Sequence, residues 1–417
     1  MTQRYDTYKD SGVQWLGEIP GHWECTSLGR VLYEKLQYGA SESGDSEYTN
    51  DSMRYIRITD ITLDGKLKKD CCKYLSSEIG KNYPVRKGDV LLARSGATVG
   101  KAFIYNEDHE ACYAGYLIKA SIQQDKVVPT FFFYFTQTSQ YDEWKNRIFI
   151  QATIQNISAE KYTRMKLCIP PLSEQRSIVS YLDSKCGKID EWVTKKQKEV
   201  EHLQELKQRV IADAVTRGLN PHVKMKATNI PWLKEIPEHW ENKRLAAMFT
   251  DDIETNKDFQ YKRAFKFNYG CLVPKNEIGD PEEYRDVYVK YSIVNTGDIL
   301  INGLNLNYDF ISQRVACAPS DGIITSAYVV CRPRPNVNYD YYTYLFKAMD
   351  SMKLFHGMGT GIRLTLSFKE LKKQLLPVPP LSEQKQIVSY LDTKTSKIDK
   401  LIAHITKEIE CIKEYKQ

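Results

Sequence analysis

The chain has 417 residues, 42% apolar and 27% charged, which is enough apolar material for more than one core and too much for a wholly disordered chain. No apolar run approaches the roughly 18–20 residues of a membrane-spanning helix; the densest is FFFYF at 131–135. With 59 Lys+Arg against 53 Asp+Glu the net charge is +6, which admits nucleic acid as a partner but lacks the strong excess of a non-specific DNA binder.

The polar start MTQRYDTYKD has no signal-peptide pattern. Ten cysteines occur without a C-x-x-C, and Cys71-Cys72 suits neither a common disulfide nor a tetrahedral zinc site. They read as reduced thiols of a cytoplasmic protein. The 28 tyrosines suit interfaces and nucleic-acid contacts, and also ordinary strands.

The opening segment WLGEIPGHWE at 15–24 returns as WLKEIPEHWE at 232–241, identical at eight of ten positions. His22 and His239 lie beside Trp in these segments and read as packing residues. The body that follows, 24–168, shows strand alternation at 54–58 and 114–122. Residues 131–144 read as an aromatic helix, with the rings assigned to a core.

Gly88-Asp89 precedes an apolar strand and then the polar, basic loop ARSGATVGK at 93–101. Glycines allow close backbone approach, and Arg94, Ser95, Thr98 and Lys101 can donate to phosphates or base edges. A second polar stretch, QATIQN at 151–156, contributes Gln151, Thr153, Gln155 and Asn156. The plain alternative is that both are ordinary turns.

PPLSEQRSIVSYLDSKCGKID at 170–190 closes the first half and matches 379–399 at sixteen of 21 positions. Ser173 suits an N-cap, and Glu174 in the first turn suits the helix dipole. Val179, Leu182, Cys186, Ile189, Val193, Val200, Leu203, Val210 and Ala214 form a heptad seam interrupted at Lys196 and Lys207, and Gly218 with Asn220-Pro221 stops it. From 174 to 217 this predicts a rod of roughly 65 Å. Residues 172–218 carry nine basic and eight acidic side chains, so the rod is not read as the main DNA-binding element. Its outer face is either solvated or a docking surface for partner proteins.

The second body, 241–377, echoes the first at Gly297-Asp298. It offers Asn302, Asn305, Asn307, Arg314 and Thr325, and at the counterpart of 151–156 it has GMGTGIR at 357–363 with Arg363. Asn suits adenine and Arg suits guanine. A strand is read at 326–331 and an aromatic helix at 341–355. Each body is only +2, at 20 basic to 18 acidic residues in 24–168 and 18 to 16 in 241–377, so DNA affinity would have to come from local patches. The second seam comprises Val388, Leu391, Thr395, Ile398, Ile402, Ile405, Ile409 and Ile412, and the first copy is its nearest apolar partner. Its final Glu414-Tyr415-Lys416-Gln417 aligns with Glu205-Leu206-Lys207-Gln208, so the first copy runs about ten residues further.

Catalytic signatures are missing. There is no phosphate-binding G-x-x-x-x-G-K-[ST], no H-E-x-x-H, no Asn-Pro-Pro-aromatic tetrad and no Gly-rich dinucleotide loop. Glu205-Leu206-Lys207 has no upstream Pro-Asp partner and is not read as a nuclease motif.

With these segments in hand, YKDSGV at 8–13 through IPGHW at 19–23, PPLSEQ at 170–175 with its twin at 379–384, and AVTRGL at 214–219 resemble the signatures of type I restriction–modification specificity subunits. The resemblance implies an α+β fold. Two pseudo-symmetric mixed α/β target-recognition domains would be separated by two long antiparallel coiled-coil helices. The divisions are 1–168 for the first recognition domain, 169–219 for the first spacer helix, 220–377 for the second domain and 378–417 for the second helix. It further implies a non-catalytic subunit whose domains each read half of a bipartite, asymmetric site on double-stranded DNA. Two methyltransferase subunits and two restriction/translocase subunits would be partners and would carry S-adenosylmethionine, ATP and magnesium, with no cofactor in this chain and no membrane. The competing expectation is a protein–protein scaffold, two adaptor domains on a rod with no DNA role.

Overall fold

The computed structural model describes residues 5–62, 67–68, 70, 72–96, 98–150, 155–275, 280–361 and 364–416. They form two compact units, one of 1–194 with 410–417 and the other of 195–409. Among the described residues no helix is long and apolar enough to cross a membrane.

The first unit is built on two four-stranded sheets. One runs Gln37–Tyr38, Leu117–Ala120, Val90–Ala93, Ala102–Ile104, with Ile118 opposite Leu92. Val90 to Ala93 are all buried, so this strand is apolar on both faces and its sequence does not alternate. The other sheet contains Lys73–Ser76, Ser52–Ile56, Ala111–Tyr113 and Pro84–Val85. The strand expected over 114–122 is shorter, Leu117–Ala120, and residues 114–116 carry the chain into it from Ala111–Tyr113 of the other sheet. The helices Pro129–Phe135 and Ser139–Ile150 replace the single helix expected at 131–144. Phe131, Phe132, Tyr141 and Trp144 are core, as their aromatic spacing suggested.

The second unit repeats the central sheet in the order Phe249–Thr250, Val329–Pro333, Ile299–Ile301, Val315–Cys317. Leu300 faces Val330. The strand expected from 326 begins at Val329, and the helix expected at 341–355 is Tyr339–Ser351. Tyr341, Tyr342, Leu345 and Phe346 of that helix are buried with Ile299, Ile301 and Val315 of the sheet.

The Gly-Asp echo has one physical cause. Gly88 (φ +93°) and Gly297 (φ +88°) hold left-handed backbone, which glycine enters without steric cost. The next residue then turns its carboxylate back. Asp89 accepts from Arg86 N at 2.8 Å and Asp298 from Asn295 N at 2.8 Å. Both aspartates are buried, so each closes the turn that launches a central strand.

The long helices are Leu172–Arg217, 46 residues, and Leu381–Lys416, 36 residues. The first starts one residue ahead of the expected cap, so Ser173 lies inside its first turn, and Pro171 O accepts from both Glu174 N and Gln175 N. Every expected seam position is buried or half-buried, Lys196 and Lys207 included. Within the second unit the two helices run antiparallel. Gly218 lies beside Glu383, and further along Lys207 Nζ reaches Asp399 at 2.6 Å. Within the first unit Lys416 pairs with Asp190.

The expectation of ten reduced thiols is corrected at one pair. Strands Glu24–Ser27 and Lys166–Ile169 pair antiparallel with Cys25 directly opposite Cys168, Cα–Cα 4.2 Å, and the two form a disulfide. They are 143 residues apart in sequence, so only the strand register could reveal that they meet.

Candidate nucleic-acid interface

Each repeated block has a structural task inside its own unit. Glu174, in the first turn of its helix, accepts hydrogen bonds from Tyr5 Oη (2.6 Å), His22 Nε2 (2.7 Å) and Trp23 Nε1 (3.2 Å). Partial burial works to raise the carboxyl pKa, but the bonds from Tyr5, His22 and Trp23 outweigh it and hold the group below the usual carboxylate range. Glu383 repeats the arrangement with His239 Nε2 (2.7 Å) and Trp240 Nε1 (3.0 Å). The histidines are structural, as expected, and their carboxylate partner is the feature that sequence reading missed. The next residue pins the prolines. Gln175 Nε2 donates to Pro170 O and Gln384 Nε2 to Pro379 O, both at 2.8 Å. Tyr134 Oη donates to Asp183 (2.6 Å) and Tyr344 Oη to Asp392 (2.7 Å), tying the aromatic helix of each body to its long helix.

This common frame presents two unlike loops at one topological place. In the first unit, 94–101 joins the central strand Val90–Ala93 to Ala102–Ile104. In the second, 302–314 joins Ile299–Ile301 to Val315–Cys317. Both lie against the stretch that precedes the closing segment. In the first unit Ser95 bridges Asn156, and Ile157 N donates to Arg94 O at 2.8 Å. In the second Leu366 N donates to Gly303 O at 2.9 Å and Leu306 N to Leu364 O at 3.3 Å.

Of the residues singled out in the first body, Arg94, Ser95 and Asn156 are thus brought together. Arg94 stacks over the Tyr38 ring at 4.6 Å, a partner not foreseen because it comes from a distant strand. Thr98 and Lys101 are half-buried on the same loop, and Gln155 is exposed beside Asn156. Among the described residues two groups here are buried without a partner, Arg94 Nε and Asn156 Oδ1. Gln151 and Thr153 lie outside the described residues, as does Arg363 in the second body.

In the second unit Asn302, Asn305 and Asn307 sit on the loop. Asn302 Oδ1 is occupied by Leu304 N at 3.2 Å, Asn305 is exposed, and Asn307 Oδ1 is buried without a partner among the described residues. Thr325 follows the strand Gly322–Ile324 and makes no side-chain hydrogen bond to the loop among the described residues. Arg314 requires a correction. Its side chain is fully buried, and the guanidinium donates to the carbonyls of Asn302 (2.9 Å), Leu304 (2.9 Å) and Asp309 (2.7 Å). Those donors are spent on backbone, so the bidentate guanine contact expected of it is replaced by a loop-holding role. Arg314 N in turn donates to the buried Asp350 Oδ2 at 2.7 Å.

The side chains this scaffold leaves outside are ones that sequence reading passed over. Tyr308 is 79% exposed, Phe310 54% and Ile311 94%. A hydropathy reading assigns Phe and Ile to a core, so no local signal marked them. Asp309 shapes the turn by accepting from Ile311 N (3.1 Å) and Ser312 N (2.9 Å). The Ser312 amide and hydroxyl, then the Ile311 amide and the Arg314 charge, hold its carboxyl down at about 2 against the opposing effect of burial. Phe310 stacks on His356 with centroids 4.6 Å apart, and His356 Nε2 bonds Asp309 O at 3.0 Å. Non-glycine residues with left-handed backbone gather here too: Asn305 (φ +51°) on the loop, Leu364 (φ +41°) bonded to it, and Tyr269 (φ +45°), whose neighbour Gly270 lies against Gln313. Such conformations cost energy and concentrate at functional sites.

The type I restriction modification DNA specificity domain matches the chain twice, over residues 23–202 and 237–411. The specificity subunit of the Escherichia coli type I restriction enzyme EcoBI is 23% identical over 401 residues, covering 86% of this chain and 78% of that protein. The MjaX putative specificity subunit of Methanocaldococcus jannaschii is 24% identical over 420 residues, covering 96% of this chain and 92% of its own. A solved structure from work on complex assembly and conformational transition of the type I R-M system superposes with a TM-score of 0.68 at 16% identity, covering 95% of this chain and 96% of that one. Two domain matches spanning most of the sequence, each containing one of the two repeated closing segments, establish that this chain belongs to the family of type I restriction–modification specificity subunits.

Proposed function

We propose that this chain reads a split, asymmetric site on double-stranded DNA, one half per unit, and acts without catalysing a reaction itself. The single observation that carries the reading is the pair of equivalent loops. One frame, stabilised the same way twice, presents Arg94, Ser95, Thr98 and Lys101 in one unit and an asparagine-bearing, apolar-tipped loop in the other. Readers of different base pairs need that difference, whereas sites for two copies of one partner would be alike. Lys and Arg contacts to phosphates would position each unit, and polar loop residues would read base edges in the major groove. The helix Leu172–Arg217, which passes from the first unit into the second, would set the unspecified gap between half-sites. Two methyltransferase subunits would dock on this chain, with restriction/translocase subunits joining them. S-adenosylmethionine, ATP and magnesium would act in those partners, and the complex would work in the cytoplasm.

The test is to co-express the chain with its methyltransferase and sequence the genome for modified bases. A two-part motif with a fixed gap is the expected result. A complex that forms yet leaves no such motif would overturn the reading in favour of a protein–protein scaffold.

A further inference from the structure

The loop 302–314 is rigid by construction and apolar at its tip. Three backbone carbonyls converge on the buried guanidinium of Arg314, Asp309 ties down the amides of Ile311 and Ser312, and the Phe310 ring is stacked on His356. A loop held by charge-assisted bonds on its inner side pays little ordering entropy on binding. Its outer side presents Asn305, Tyr308 and Ile311, and Ile311 is 94% exposed. An aliphatic side chain so exposed gains nothing in the free chain.

We infer that this loop reads A·T pairs in the second half-site, with the side chain of Ile311 packing on a thymine C5-methyl group, the Asn305 amide available to adenine, and Arg314 as the positioning residue. The inference rests on the DNA-reading function proposed above. In the major groove the thymine methyl is the apolar group that distinguishes a base pair, and an asparagine amide matches adenine N6 and N7. The exposed part of the loop therefore carries chemistry for both members of one kind of pair. A protein partner is the less favoured occupant. Loop 94–101, at the same place in the first unit, is basic and hydroxylated, so a partner docking equally on both units would meet opposite chemistry.

The experiment uses the complex of the full chain with its methyltransferase. The modified motif is mapped first, and the second half-site is the one left unchanged when residues 24–168 are exchanged for the corresponding body of a relative. Affinity is then measured on duplexes in which each thymine of that half-site is replaced in turn by deoxyuridine, which removes the methyl and keeps the pairing. One replacement should weaken wild-type binding about fourfold, the effect of one buried carbon group, and should have no effect in Ile311→Ala. Arg314→Lys should relax base preference in that half-site alone, whereas mere destabilisation would lower modification at every site with preference unchanged. Ile311 is a surface residue, so its variant reports even if Arg314→Lys fails to fold. A two-part motif with no A·T pair in that half-site, or deoxyuridine effects identical in wild type and Ile311→Ala, overturns the inference and leaves the function standing. Loss of the methyltransferase from the Ile311→Ala complex overturns it in favour of a protein contact. Absence of any two-part motif overturns the function and this inference together.

Discussion

At Glu174 one carboxylate receives three donors from a segment about 150 residues earlier in the chain, and Glu383 receives two from its own opening segment. Hydrogen bonds to an ionised group contribute about 1.5–3 kcal/mol, and leaving a half-buried indole N–H unpaired adds a desolvation cost. Glu174→Ala and Glu383→Ala should therefore each destabilise their own unit by roughly 1–3 kcal/mol, seen as a lower urea midpoint without a change in slope. Asp309 has a pH signature. Its folded pKa, near 2, lies below the ordinary carboxylate value of 3.8, so the stabilisation it lends its loop is complete above about pH 4 and is lost as pH falls toward 2. Asp309→Ala should speed amide exchange at Ile311 and Ser312 at pH 7, and that difference from wild type should shrink below about pH 4. An undiminished difference at pH 3 would contradict this assignment of the two amide bonds.

The two long helices are held mainly by their apolar seams and only slightly by their ion pairs. Leu391 is fully buried in the core shared with Ile387 and Val215, so Leu391→Ala should cost about 2–5 kcal/mol. Lys207 is paired with Asp399 where both side chains are substantially exposed. Lys207→Leu should therefore change stability by no more than about 1 kcal/mol, and thermal melts of the two variants compare the effects directly. Inserting seven residues into the helix Leu172–Arg217 keeps the seam in phase. In the complex with its methyltransferase, this insertion should shift the gap of the modified motif or abolish modification, and an unchanged gap with full modification would refute the spacer role.

For the whole molecule, the repeated frames and unlike bodies predict modularity. Exchanging residues 24–168 for the corresponding body of a relative should alter one half of the modified motif and leave the other half and the gap intact, read out by methylome sequencing. The joints fall at positions suited to exchange. Cys25 and Cys168 lie opposite each other on the strand pair at the base of the first body, so the exchanged piece should carry both cysteines or neither.

Much of this molecule was legible in one dimension because its regularities are local or repeated. The heptad spacing located both helices, since a 3.5-residue period has one structural solution. The duplicated PPLSEQ and HWE blocks marked the frame, and glycine before aspartate marked the turns that launch the central strands. Three-dimensional contacts decided the rest. That Glu174 meets His22, that Cys25 meets Cys168 and that Leu117–Ala120 joins a different sheet from the preceding strand Ala111–Tyr113 all depend on long-range register, which no local preference encodes. The same holds at the proposed reading surface. Arg314 carries a charge that sequence reasoning sends to solvent, while Ile311 has an apolar side chain that it sends to a core. The fold reverses both, because the terminal guanidinium nitrogens pair with three backbone carbonyls that would otherwise be left unpaired, and Ile311 is left on the exposed side of the loop that Arg314 closes.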